Sequence, residues 1–220
     1  MTPFRRSHQR PILLALALIL PLLPFRARAD ASAEARAEAA SAFQAGSAGD
    51  ARAAARASAL FQQLSAAEPG DPVLLAYAGA ATALTGRDAS SPLDALNITE
   101  AGLSRIDQAL KRLGPADDRT APGRLPQRLE TWLVAASTFL AVPDFMNRGA
   151  RGQKLLNEVL ASPLFAAAPL PFRGQVWLRA ATLAAKDQRP DDARRWLTEI
   201  VTHGAPQAEV AKSKLKELAA

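Results

Sequence analysis

The sequence predicts an all-α protein, an array of about four helical hairpins closed by a C-terminal capping helix. Three observations lead there. Of the 220 residues, 49% are hydrophobic, much of that alanine, while aromatic residues are only 5%. Alanine has the best helix propensity and lets helix axes approach closely, whereas a sheet wants the β-branched and aromatic side chains that are scarce here. Apolar residues also recur at helical spacing, as in Ala57, Leu60, Phe61 and Leu64. Finally, "GSAGD", "EPGDP" and "GPADDRTAPGRLP" interrupt the striped segments with the glycines and prolines that stop helices.

Residues 1–29 have the layout of a secretory signal peptide and are set apart from the fold. "MTPFRRSHQR" is a basic start, and "PILLALALILPLLPF" is an apolar run of fifteen residues. "ARA" at 27–29 supplies the small residues a signal peptidase accepts, so cleavage is expected between Ala29 and Asp30. A membrane span takes about 20 apolar residues. The run here is shorter and is interrupted by Pro21 and Pro24. The expected mature domain is 30–220, exported to the periplasm, with no membrane span after cleavage.

Removing the leader changes the charge argument. The whole chain carries a formal +6, but Arg5, Arg6, Arg10, Arg26 and Arg28 belong to the leader, which holds no acid, so the remainder is near +1. A pI of about 10.3 would otherwise suggest nucleic acid. Beyond the leader, arginines alternate with acids as on solvated helix faces, and no nucleic-acid partner is expected. Cysteine is absent, which excludes disulfides, thiol nucleophiles, zinc–cysteine clusters and a lipid-acceptor cysteine.

Along the mature chain, residues 31–67 read as two helices broken at "GSAGD". Gly46 and Gly49 are expected to take positive φ there, and Asp50 to cap the second helix. The next helix covers 73–86. "RDASSPLDALN" reads as a polar connector, and a helix over 98–113 carries Ile98, Leu103, Ile106, Leu110 and Leu113 on one side. Residues 114–126 read as a solvated, linker-like loop. A third pair spans about 126–141, striped by Leu129, Trp132, Leu133, Ala136, Phe139 and Leu140, and 148–161, striped by Leu155, Leu156, Val159 and Leu160. "SPLFAAAPLPF" is too broken for a strand and too apolar for a free linker, so it should pack on the helices. The fourth pair covers 172–186 and 190–203, with Pro190 in its first turn and Asp191 and Asp192 at the positive end of the helix dipole. A last helix, 206–219, has Val210, Leu215 and Leu218 on one side, the narrow apolar face of a terminal cap.

The pairs share a phase. In the first helices a bulky residue is followed by a small one four later and a packing residue three after that: Trp132, Ala136, Phe139, then Trp177, Ala181, Ala184, with Leu75, Gly79, Thr82 in the same slots. In the second helices a small residue precedes a bulky and an apolar one: Ala57, Phe61, Leu64; Gly152, Leu156, Val159; Ala193, Leu197, Ile200. Small residues let the two helices of a hairpin cross closely, and large ones wedge between neighbouring hairpins. On these residues the chain resembles the tetratricopeptide repeat family. Residues 38–71 fit through Ala45, Ala57, Phe61 and Pro69, and 174–207 through Trp177, Ala181, Ala193 and Leu197, with Pro206 one place late. The resemblance implies a right-handed superhelix lined on its concave side by the first helices, whose outward slots include Glu130, Ser137, Gln175, Thr182 and Lys186.

Catalytic chemistry finds little footing. Beyond the leader the chain keeps one histidine, His203, placed to favour a helix C-terminus. The acid pairs Asp117–Asp118 and Asp191–Asp192 read as loop solvation and helix capping, since adjacent carboxylates do not face each other across a substrate. No metal site, cofactor or enzymatic activity is expected. The expectation is a non-catalytic scaffold of the cell envelope, binding a protein or peptide. The alternative is a small-molecule carrier associated with an envelope transporter, using a pocket lined by Trp132, Phe139 and Trp177.

Overall fold

The computed structural model describes residues 23–119 and 125–218. The chain divides into two compact units, Met1–Glu34 and Ala35–Ala220. Residues 1–22 of the expected leader lie outside the described residues. All packing below belongs to the second unit.

Every regular element among the described residues is helical. Helix α1 (Leu23–Ser47) is followed by α2 (Ala51–Ala67), α3 (Pro72–Thr85), α4 (Pro92–Arg112), α5 (Gln127–Ala141), α6 (Gly149–Ala161), α7 (Leu170–Lys186), α8 (Pro190–Thr202) and α9 (Ala208–Glu217). Short 3-10 turns at Gly86–Asp88, Pro115–Asp118 and Asp144–Met146 join some of them. Consecutive helices pack as hairpins, α3 on α4, α5 on α6 and α7 on α8, while α2 also lies against α3 and α9 closes on α8.

The local causes are legible at the helix ends. Gly49 has φ of 121°, the left-handed turn that lets α1 stop, and the Asp50 carboxylate accepts from the backbone N–H groups of Arg52 and Ala53. Asp71 does the same for Val73 and Leu74, ahead of Pro72 in the first turn of α3. Gly46 departs from expectation. It stays helical and faces α2, where a Cβ would stand 2.7 Å from the Ala54 Cα. The smallest residue is there for a close crossing rather than for a turn.

Helix α4 begins six residues earlier than the apolar stripe suggested. Ser91 accepts from the Asp94 backbone N–H and Pro92 occupies the first turn, so a polar-looking segment is a capped helix start. Its opening turns are correspondingly exposed, with Leu93 at 66%.

Burial follows the repeat slots in α3, α6, α7 and α8, with Trp132 of α5 and Leu64 of α2 only half-buried, and the pattern extends to a helix where the sequence reading missed it. In α4 the slots are Gly102, Ile106 and Ala109, all buried, matching Gly152, Leu156, Val159 in α6 and Ala193, Leu197, Ile200 in α8. The small slots meet across the hairpin. A Cβ on Gly79 would lie 2.6 Å from the Gly102 carbonyl oxygen, and one on Gly102 would lie 2.5 Å from that of Gly79. In the next hairpin a Cβ on Gly152 would lie 3.1 Å from the Ala136 carbonyl oxygen. Side chains of ordinary size in these slots would push the axes apart.

Two slots are corrected. Ala45 is exposed; the small buried residues of α1 are Ala39, Ala42 and Gly46, so the first repeat is out of phase in that helix. In α9, Val210 is 50% exposed, and the inward stripe is Ala211, Leu215 and Leu218.

The segment 162–172 packs as expected, with Phe165, Ala168 and Phe172 buried in the main core; its end is already the first turn of α7. The large core cluster runs through the second to fourth hairpins, and a smaller one joins Phe61, Leu74 and Ala81 between α2 and α3.

Candidate functional site

The first helices α3, α5 and α7 lie side by side, α3 against α5 and α5 against α7. Their slots align through the bulky residue of each repeat. Two places after Leu75, Trp132 and Trp177 come Tyr77, Val134 and Arg179; two places before come Val73, Glu130 and Gln175.

In α7 the buried stripe is Phe172, Gly174, Val176, Trp177, Ala180, Ala181 and Ala184. Opposite it stand Gln175, Arg179, Thr182 and Lys186, which a 3.6-residue period gathers within one narrow face. Gln175, Thr182 and Lys186 are exposed, as expected. The Thr182 hydroxyl donates to the Leu178 carbonyl at 2.9 Å, and Lys186 Nζ lies 3.2 Å from Asp144 Oδ1. On α5, Ser137 is half-buried, as is Glu130. No hydrogen bond between any two of these five residues is found, so they form two rows on neighbouring helices rather than one cluster.

Glu130 needs correction, because it does not point freely outward. It faces Tyr77 on α3, whose hydroxyl interacts with its carboxylate. Burial raises the Glu130 pKa above the usual carboxylate range, and the Asp71 charge adds to that, while the Tyr77 hydrogen bond and Arg36 pull the other way. Burial, reinforced by the Glu130 charge, likewise holds the Tyr77 phenol protonated well beyond its ordinary range. Arg36 is held by Glu68 at 2.6 Å and lies 3.6 Å from Asp71. The Tyr77 ring stacks on Phe61 with centroids 4.8 Å apart.

Arg179 was not singled out by sequence, since a charge on a helix reads as solvated. It is half-buried, and burial alone lowers its pKa. Desolvation is therefore the leading cause of a shift at three described groups, Tyr77, Glu130 and Arg179, one on each of the three adjoining first helices.

The tryptophans are structural. Trp177 is 5% exposed, edge-on to Phe165 at 5.9 Å, with the His203 ring 5.0 Å away. His203 closes α8, its Nδ1 donating to the Glu199 carbonyl at 2.9 Å. An arginine one turn earlier lies over each first-helix indole, Arg128 over Trp132 and Arg173 over Trp177, both at 5.4 Å. The repeat thus extends to how the indole is covered. Phe139 is wholly buried beneath Arg148 and Arg151. Of the three rings expected to line a pocket, Phe139 and Trp177 are packed against the protein's own side chains, and Trp132 is half-buried.

A different cleft, of about 140 Å³, opens between α6, α7 and α8, lined by Asn157, Leu183, Arg189, Arg195 and Trp196 among others. Its cations are engaged: Arg189 with Asp187 and Asp192, Arg195 with Asp192 and the Trp196 ring. Ligand pockets usually enclose about 300–1,000 Å³, so this gap is small for one. The acid pairs are also occupied. Asp117 accepts from the Gly114 backbone N–H at 2.6 Å, Asp118 pairs with Arg128, and Asp191 pairs with Arg194 at 3.0 Å. Asp117 and Asp118 therefore close the 3-10 turn and tie it to α5, rather than merely solvating a loop.

Among the described residues no group of three or more His, Cys, Asp or Glu side chains could hold a metal ion, and no helix is long and apolar enough to cross a membrane. No protein-family model matches the chain, no curated protein matches its sequence, and no solved structure matches its fold.

Proposed function

We propose that this chain is an exported, non-catalytic interaction scaffold of the cell envelope, a tetratricopeptide-like right-handed array whose first-helix face holds a peptide or helix of a partner protein. The observation that carries the reading is the recurrence of small, bulky and apolar slots in α4, α6 and α8, each buried in its hairpin. An array of that kind builds a long continuous surface from repeated units, which suits an extended partner. The first helices adjoin one another, whereas α6 and α8 leave a cleft between them, a difference that favours curvature with the first helices inside. The carrier reading has less behind it, because two of the three rings meant to line its pocket, Phe139 and Trp177, are packed in the core.

The test uses the mature chain as bait in an envelope extract, beside a variant carrying Gln175→Glu and Lys186→Glu, both at exposed positions. Partner capture should be lost in the variant while its helical circular dichroism is unchanged. Equal capture by both would contradict the reading. N-terminal sequencing of the exported form should begin at Asp30; an uncleaved N-terminus would overturn the leader assignment.

A further inference from the structure

Arg179 stands apart from most of the half-buried arginines. Arg36 has Glu68, Arg105 donates to Thr82 at 2.9 Å, Arg128 has Asp118 and Arg148 has Asp107 at 3.0 Å, while Arg173 lies over the Trp177 ring although its buried Nε has no acceptor among the described residues. Arg179 has neither an ion pair nor a side-chain hydrogen bond among the described residues. Helix α7 contains no acid, and the carboxylates closest to its C-terminal end are engaged elsewhere, Asp144 with Lys186 and Asp187 with Arg189.

The repeat does not require a cation in this slot. Its equivalents are Val134 on α5, which is 8% exposed, and Tyr77 on α3, so packing accepts an apolar or aromatic residue. A guanidinium part-removed from water without a partner costs free energy. That cost is recovered when a carboxylate arrives, because the planar fork of N–H donors matches a carboxylate bidentately and the shielded setting strengthens the pair.

We propose that the α7 face bearing Gln175, Arg179, Thr182 and Lys186 docks an acidic segment of a partner protein, with the Arg179 guanidinium as the anchor for its carboxylate. The inference rests on the scaffold reading and specifies the partner's chemistry at the α7 end of that surface. Lys186 stands two turns further along the same face, and its exposed contact with Asp144 leaves it able to exchange partners. An acidic segment running along α7 therefore meets two cations two turns apart, and it must displace Asp144 to reach the second.

The experiment is a fluorescence-anisotropy titration of the mature chain at about 0.15 M salt, where the screening length is about 8 Å, with three labelled hexapeptides: hexaglutamate, hexalysine and an uncharged glycine–serine sequence. Hexaglutamate should bind most tightly, and Arg179→Gln should weaken it at least about tenfold. Arg52→Gln, which removes an exposed cation with no side-chain partner on α2, should leave binding within about twofold, since remote surface charge is screened. Thr182→Glu, at an exposed position, should also weaken hexaglutamate while Arg179 is intact, so the outcome does not depend on Arg179→Gln folding. Equal losses in Arg179→Gln and Arg52→Gln would overturn the proposal, as would hexaglutamate binding no tighter than the uncharged peptide. If the uncharged peptide binds and Thr182→Glu abolishes it, the scaffold reading survives without the acidic specificity. Should none of the three bind, the acidic-segment proposal falls, and the scaffold reading is decided by its own capture experiment.

Discussion

Helices α3 and α7 occupy the same place in their hairpins and are built on the same slots, yet they meet very different surroundings. Helix α3 is packed by α2, α4 and α5, and from Pro72 to Ala83 every residue but Tyr77 is buried. Helix α7 is buried along one stripe and keeps an open face. Their crossings differ too. Gly79 and Gly102 bring α3 and α4 within backbone contact, with leucine in the bulky slot, whereas Ala181 and Ala193 leave a methyl on each side of the α7–α8 crossing, with tryptophan in the bulky slot. The comparison teaches that one repeat plan tolerates two slot sets, glycine in both small slots with a leucine wedge or alanine in both with a tryptophan wedge. It also leaves α7, unlike α3, with an exposed side.

Substitutions should sharpen this contrast. The largest effect is expected for Trp177→Ala, which removes a buried ring flanked by Phe165 and His203 and should lower stability by about 4 kcal/mol in urea unfolding. Trp132→Ala, in the equivalent but half-buried slot, should cost clearly less; equal losses would mean the two wedges are not distinguished by burial. Next comes Gly102→Ala, which drives a methyl into the Ala83 and Gly79 backbones and should cost about 2–3 kcal/mol, whereas Ala193→Gly, in the same slot of the α7–α8 hairpin, should cost about 1 kcal/mol through helix propensity. The reverse order would break the account of two slot sets.

How much of this could be read from the chain depends on whether the signal was local. Asp50, Gly49 and the slots of α6 and α8 were legible because a cap, a turn and a helical period each lie within a few residues. The start of α4 was missed because Ser91, Pro92 and Asp94 look like a polar connector until their roles as cap and first turn are recognised. Ala45 misled because alanines crowd α1, so that any phase finds a small residue. The Tyr77–Glu130 pairing and the bare Arg179 were not legible, since each depends on which helices become neighbours. Glu130, Ser137, Gln175, Thr182 and Lys186 were placed on the right helices, but only the three on α7 stand fully exposed.

Smaller effects concern helix ends and titration. Asp50→Ala should cost about 1 kcal/mol by stripping two N–H groups of their acceptor. For Glu130, a pKa raised by folding means the native state holds its proton to higher pH than the unfolded chain does. Its ionisation therefore subtracts stability as pH rises from the ordinary carboxylate value through the raised one. Glu130→Gln should lack this decline, so the difference between wild type and variant should be smallest at acid pH and move in the variant's favour towards neutrality. Parallel stability curves across that range would contradict the burial argument.

The central claim is that the same small slots face each other in the second, third and fourth hairpins, and the absence of cysteine from the chain makes a clean test available. Ala181→Cys together with Ala193→Cys places two thiols in the slots that Gly79 and Gly102 occupy two hairpins earlier. Under mild oxidation this pair should form an intramolecular disulfide, seen as faster migration on a non-reducing gel. The exposed control, Ala185→Cys with Ala193→Cys, should not. Cross-linking of the control but not of the slot pair would contradict the shared register.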